Sequence, residues 1–411
     1  MNVYLVIIVA ALLLEFILQT MSRLLDLNRF STDLPGEFNS YYSPEEYMRS
    51  QKYFRSNAHF SLFTSTFDLL VVLLVIFLGL FNTLDLWVRE FDFSSIVSGL
   101  MFFGVIVFIQ DVIGTPASIY RTFVIEENFG FNNTTLKTYT LDKIKQFILF
   151  VLLGGLILYL LLYFFETYGD RSWLYAWISI SSVLILFQPL FTLIIAPLFN
   201  TFTPMEDGKL KQRIAQYAEK TNFPISRIDV MDGSRRSSKG NAYFSGWGKN
   251  KRIAIFDTLI AKHSIDELLS IVAHEVGHYK MKHNTKAIIF SVIQLGIMFF
   301  LLSLFLNNPK LFSAFSVDNL SIYASLLFFT LLYSPIQLIM SFWGNRLSRK
   351  HEFEADAFAF ASIGTSKHLI KGLKKLTVTG LGNLNPHPFT VWLNYSHPPI
   401  LERIQALRNT H

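Results

Sequence analysis

Seven stretches of this chain are apolar for long enough to cross a bilayer, which takes about 20 residues of helix. They lie near residues 3–20, 60–82, 95–114, 146–165, 173–197, 287–306 and 321–343. Lipid offers no partner for the backbone, so segments of this length must close their hydrogen bonds as helices. The first stretch has no basic leader and no clear small-residue cleavage site after it, and it reads as a retained helix. Composition agrees. Hydrophobic residues make up 51% of the chain and 41 residues are Phe, while only 16% are charged, against about 25% in a typical soluble domain.

Lysine and arginine then set the orientation. Segments 21–59, 115–145, 198–286 and the tail from 344 hold five, four, fifteen and nine of them. The other three connections hold one each, Arg89, Arg171 and Lys310. Loops rich in these residues stay in the cytosol. The N-terminus is therefore expected outside and the C-terminus inside. The net charge of +6 becomes a topology signal and an attraction to membrane lipid, so no nucleic-acid partner is expected. Cysteine is absent, which excludes disulfides and thiolate metal sites. Glu15, Asp68, Gln110, Asp111, Gln188 and Gln294 fall inside spans. Such residues face a bundle interior or a water-filled cavity, or hold helices together.

The expected organisation is five spans over 1–197, a cytosolic α+β insert over 198–286, two spans over 287–343 and a cytosolic helical segment over 344–411. The insert ends in SIDELLSIVAHEVGHYKMKH, residues 264–283. His274 and His278 sit four apart, so on a helix their rings converge on one ion. Glu275 can reach water at that ion without being a ligand. This is the H-E-x-x-H arrangement of zinc peptidases. Ser264 and Glu267 have capping-box spacing, and Leu268, Leu269, Val272 and Val276 give the helix a face to bury. The competing reading is a surface helix with two chance histidines. A third histidine in the pattern H-E-x-x-H-x-x-G-x-x-H would need a glycine at position 281 and a histidine at position 284. Met281 and Asn284 stand there instead, and His283 is one place short. The third ligand has to come from elsewhere.

Before the motif, a helix is expected after Pro204, then strands at Ile228–Met231, Ala242–Ser245 and Arg252–Phe256. Gly248-Lys249-Asn250 would make the turn between the last two. Lys286 leads straight into the sixth span, so the metal site should lie at or just inside the membrane surface. After the seventh span, RKHEFEADAFA offers His351, Glu352, Glu354 and Asp356 as donors. Glu352 and Asp356 share a helical face. Glu352 could be the third ligand and Asp356 could anchor a ligand histidine, but spacing alone does not choose among these carboxylates, and a solvated acidic face is the other reading. His387 and His397 each precede a proline and could mark rigid turns.

VIEENFGFNNTTL, DGSRRSSKGNAYFSGWGKNKRIAIFDTLI, HEVGH, RKHEFEADAFA and SHPPILERI together carry a resemblance. The chain resembles the type I CAAX prenyl proteases, integral-membrane zinc metalloendopeptidases of the gluzincin group. The resemblance implies an α-helical multi-pass membrane protein whose seven transmembrane helices enclose a chamber, with a small α+β cytosolic zinc-peptidase domain at its mouth. It implies one Zn2+ held by His274, His278 and Glu352, with Glu275 as general base and Asp356 behind the ligands. His397 and Arg403 would stand beside the reacting carbonyl, with a protonated His397 as one way to stabilise the oxyanion. Asn241, Ala242, Tyr243 and Phe244 would pair with the substrate backbone. Lys239-Gly240 departs from the His-Ser pair that eukaryotic members tend to have. The implied partner is a peptide or protein substrate, lipid-modified or not, and no oligomer is required. A membrane-protein quality-control protease is the second reading. A transporter or channel with a structural zinc is the third, and it would need four protein ligands. The close-set loops point to a bacterial inner membrane, with the endoplasmic reticulum as the eukaryotic equivalent.

Overall fold

The computed structural model describes residues 2–31, 33–246 and 251–409, and at Gln188 the backbone alone. The expected turn at Gly248-Lys249-Asn250 lies outside the described residues. Six helices have the length and apolarity to cross a membrane: Val3–Asn28, Pro44–Phe77, Ser95–Glu126, Leu136–Thr167, His283–Phe305 and Ile322–Ile363. The pair Gly169–Phe187 and Phe191–Phe199, bent by 45°, makes a seventh if it counts as one span. The protein is an integral multi-pass membrane protein.

Several helices outrun their apolar stretches. The second begins at Pro44, inside a segment expected to be loop, because Ser43 and Glu46 form a capping box ahead of a proline. The last runs unbroken for 42 residues to Ile363. It therefore carries HEFEAD on the same rod that crosses the membrane.

Contacts at the two ends of the bundle follow the charge alternation. At one end Asn2 donates to the Lys310 carbonyl and Tyr323 to Asp85. At the other, Arg236 grips Asp142 at 2.7 and 2.9 Å, Lys239 meets Glu126 at 2.9 Å and Lys374 meets Glu37 at 2.7 Å. The four basic segments thus come together, opposite the three basic-poor connections. The buried core of the bundle, including Ile8, Phe102, Leu162, Phe299, Phe312, Phe315 and Phe328, lies toward the basic-poor end. Nearer the site the helices stand apart. The accessible surface of 21293 Å² exceeds the roughly 16,000 Å² of a compact monomer of this size. A cavity of about 1010 Å³ is lined by Arg55, His59 and Asp68 together with Phe63, Phe67 and Ile113. Glu15 faces a smaller one beside Gln337 and Asn345. Asp68 and Glu15 therefore open onto these spaces, while Asp111 pairs with Lys143 at 2.5 Å.

Segment 198–286 holds a four-stranded sheet in the order β1-β2-β4-β3. The strands are β1 Phe202–Pro204, β2 Ile225–Met231, β3 Ala242–Ser245 and β4 Lys251–Phe256. β2 and β4 run parallel, and β3 pairs antiparallel with β4. β1 was not expected, since three residues carry no readable alternation. The helix expected after Pro204 begins at Lys209, after an extended Gly208. Among the described residues β3 pairs on one side only, so it is one edge of the sheet and β1 is the other.

Candidate metal centre

The motif helix, Ile265–Lys280, starts where its cap dictates. Ser264 N–H donates to Glu267 Oε2 at 2.9 Å and Glu267 N–H returns to Ser264 Oγ at 3.3 Å. Leu268, Leu269, Ile271, Val272 and Val276 are buried against β4 and the helix Lys209–Lys220, with Ile214, Ile253 and Ile255. This core fixes the helix and turns its histidine face toward the long helix Ile322–Ile363. The crossing is close because Gly277 has no side chain. A Cβ there would stand 2.9 Å from the Ala355 carbonyl oxygen and 3.0 Å from Ala355 Cα. The glycine of HEVGH thus lets one helix press against HEFEAD on the other.

His274, His278 and Glu352 meet at that crossing. One donor atom from each lies within 4.8 Å of the others. The two Nε2 atoms are 3.1 Å apart, and Glu352 oxygens lie 3.4 Å from His274 Nε2 and 3.3 Å from His278 Nε2. Glu352 is 4% exposed, yet its buried Oε2 makes no hydrogen bond. Burial of a carboxylate oxygen that makes no hydrogen bond is costly; the Arg403 guanidinium 3.3 Å away offsets part of that cost, and a bound cation would offset more. Two imidazoles and a carboxylate are the protein ligands of one class of catalytic zinc site. The donor set therefore fits a divalent metal.

The surrounding shell is continuous. His274 Nδ1 lies 2.8 Å from Asp356 Oδ1, and Arg403 donates to both Asp356 oxygens at 2.8 and 2.7 Å. Arg403 Nη1 also stands 3.3 Å from Glu352. Burial opposes the charge on Arg403, but these carboxylates hold its pKa above the usual value. His274 is likewise lowered by burial and raised more by Asp356 and Glu352, and ends at about 9 without metal. Glu275 is pushed above the ordinary carboxylate range by burial, partly offset by the two histidines. It keeps some accessible surface, as a group on the floor of a cleft does.

His397 sits at the rim with 66% of its side chain accessible, and its Nε2 is 3.4 Å from Glu352 Oε1. Desolvation moves its pKa below the ordinary value, with the Glu352 carboxylate pulling the other way. Ser396 lies 3.0 Å from its Nδ1. A hydroxyl donated there leaves Nε2–H aimed at the site. Asn241 precedes β3, accepting from Phe256 N–H at 3.0 Å through its carbonyl and from Ala242 N–H through its side chain. With Ala242 opposite Ile255 and Tyr243 opposite Ala254, the alternation of an antiparallel ladder turns the Tyr243 backbone toward β4 and those of Ala242 and Phe244 outward. Lys239 reaches Glu126, Tyr53 and the Phe131 ring, bracing the approach to β3 against segment 115–145. Sequence reasoning left His283 aside as one place short. It touches His278, with Nδ1 atoms 3.0 Å apart.

Residues 204–411 match the family model for peptidase family M48, and residues 23–201 match the CAAX prenyl protease N-terminal model, described as five membrane helices. Among the relatives, the mouse CAAX prenyl protease 1 homolog is 33% identical over 92% of this chain and 89% of its own length. The Saccharomyces cerevisiae CAAX prenyl protease 1 is 33% identical over 92% and 88%. The crystal structure of S. mikatae Ste24p superposes with a TM-score of 0.91 at 31% identity, covering 99% of both chains.

Proposed function

This chain belongs to peptidase family M48, and from that premise we propose that it is a zinc endopeptidase that cuts near the C-terminus of CAAX proteins, prenylated ones included. That it is a metal-dependent protease acting on a peptide or protein substrate follows from the family. The zinc, the residue roles and the CAAX substrate class are the proposal. The observation that carries it is the convergence of His274, His278 and Glu352 around a buried carboxylate oxygen without a hydrogen bond.

In this reading those three residues hold the ion. When bound, zinc supplies Lewis acidity, which polarises the scissile carbonyl and brings the pKa of water toward about 7. Glu275 accepts the proton of the attacking water and delivers it to the leaving amine. His397 donates Nε2–H to the developing oxyanion. Asp356, held by Arg403, keeps His274 Nδ1 as the donor and Nε2 free for metal. The outward carbonyl of Ala242 and both backbone groups of Phe244 offer hydrogen bonds to an extended peptide, which makes binding independent of most substrate side chains. The site faces the cytosol, on the warrant of the basic segments gathered at its end of the bundle. The transporter reading falls with the family assignment and with a donor set of three.

The experiment is cleavage of a farnesylated CAAX peptide beside its unprenylated twin, with and without chelator. Chelator-sensitive release of a C-terminal fragment from the farnesylated peptide is expected. Equal rates on both peptides would favour the quality-control reading.

A further inference from the structure

His283 has no part in the ligand set, yet it is 3% exposed and contacts a ligand. Its Nδ1 lies 3.0 Å from His278 Nδ1, and its Nε2 lies 2.9 Å from Glu354 Oε2. Its ring lies flat on His351, with centroids 4.0 Å apart and planes 12° apart. These contacts fix the protons. A carboxylate only accepts, and a neutral imidazole has one donor and one acceptor nitrogen. His283 Nε2 therefore carries the proton given to Glu354, and Nδ1 accepts. The proton between the two Nδ1 atoms then belongs to His278. That tautomer leaves the His278 Nε2 lone pair toward Glu352 and His274.

We propose that Glu354 and His283 form a positioning chain that holds His278 in its metal-binding tautomer and orientation. It rests on the reading of His278 as a ligand. It is the counterpart of the Arg403–Asp356–His274 chain, with a neutral imidazole in place of a directly bonded carboxylate. The two chains lock the two histidines at the crossing. HEFEAD supplies both, since Glu354 and Asp356 lie on the long helix beside Glu352.

A second metal ion is the competing use of this cluster, because His283, His351 and Glu354 also bring donor atoms within 4.8 Å of one another. The protons argue against it. An ion on His283 Nε2 would move that ring's proton to Nδ1, where it would face the His278 N–H at 3.0 Å. Parallel stacked rings also keep their lone pairs in separate planes, so they do not converge.

The test uses the full chain in detergent, with zinc affinity read by chelator competition and geometry read from the absorption of the cobalt-substituted protein. His283→Phe keeps a ring against His351 but cannot accept a hydrogen bond. It should bind zinc about 10- to 100-fold more weakly and shift the cobalt bands. His283→Gln restores an acceptor and should recover most of the affinity and the native spectrum. Glu354 is one-third exposed, so Glu354→Ala is expected to fold and to report even if His283→Phe does not, and it should also weaken binding. His278→Ala checks the ligand assignment separately and should lose the ion outright; retention there would overturn the metal-centre reading itself. Wild-type affinity in His283→Phe or in Glu354→Ala overturns the chain. So do equal losses in His283→Phe and His283→Gln, which would mean packing alone, and a stoichiometry of two ions per chain.

Discussion

Asp356 Oδ1 lies 2.8 Å from His274 Nδ1, and this contact reverses what burial does to the imidazole. Burial lowers the pKa, the hydrogen bond to Asp356 and the nearby Glu352 carboxylate raise it by more, and the metal-free ring comes out at about 9. The folded value lies above the unfolded one, so this proton stabilises the metal-free fold fully below about pH 6.5, and the contribution fades as pH rises through 9. Metal needs the Nε2 lone pair, so it competes with that proton. Apparent zinc affinity should rise about tenfold per pH unit up to about pH 9 from this group alone and flatten above. Chelator competition from pH 6.5 to 10 reads it. In Asp356→Asn the bend should move to lower pH.

Gly277 sets the distance between the helices that carry the ligands. Gly277→Ala puts a Cβ 2.9 Å from a backbone oxygen that cannot swing aside. The strain is expected to cost about 1–3 kcal/mol and to part His274 and His278 from Glu352. Zinc content should fall in protein that still migrates as a folded monodisperse species. Full occupancy would show that the crossing has slack.

The outer edge of β3 is the proposed substrate strand. Ala242 N–H is satisfied by its neighbour's side chain and gives nothing to β4. Ala242→Pro should therefore leave the β3–β4 ladder intact while perturbing the outward backbone that an extended peptide would meet. Zinc content and thermal stability should hold while kcat/KM falls. Unchanged cleavage would remove this edge from substrate binding.

How much of this was legible in the sequence depended on whether a signal was local. The spans were legible because about 20 apolar residues have one solution in lipid. The motif helix was legible because Ser264 and Glu267 cap it and its apolar positions repeat. β1 was not, since its three residues depend on pairing with β2. The run-on of the seventh span into HEFEAD was hidden because polarity changes at Trp343 and Gly344-Asn345 read as a helix stop. Glu352 emerged from its neighbours only with the resemblance, because the choice depends on which face the rod turns to Gly277. His283 was set aside by linear spacing, while its part depends on a tautomer chain closed by Glu354, a residue 71 positions away.

Orientation is tested by single cysteines, as the native chain has none. Thr83→Cys and Lys310→Cys should label with an impermeant maleimide from the outer side of intact cells. Glu219→Cys should label only after permeabilisation. The reverse pattern would put the metal centre on the other face of the membrane.

Glu275→Gln tests the central claim most directly, with zinc content and peptide cleavage measured on the same preparation. The amide is nearly isosteric and is not a ligand, so one zinc per chain should remain. It cannot accept the water's proton, and turnover should fall by at least the roughly 10²- to 10⁴-fold that general-base catalysis supplies. One zinc with turnover near the wild-type value would contradict the account, because some other group would then be activating the water.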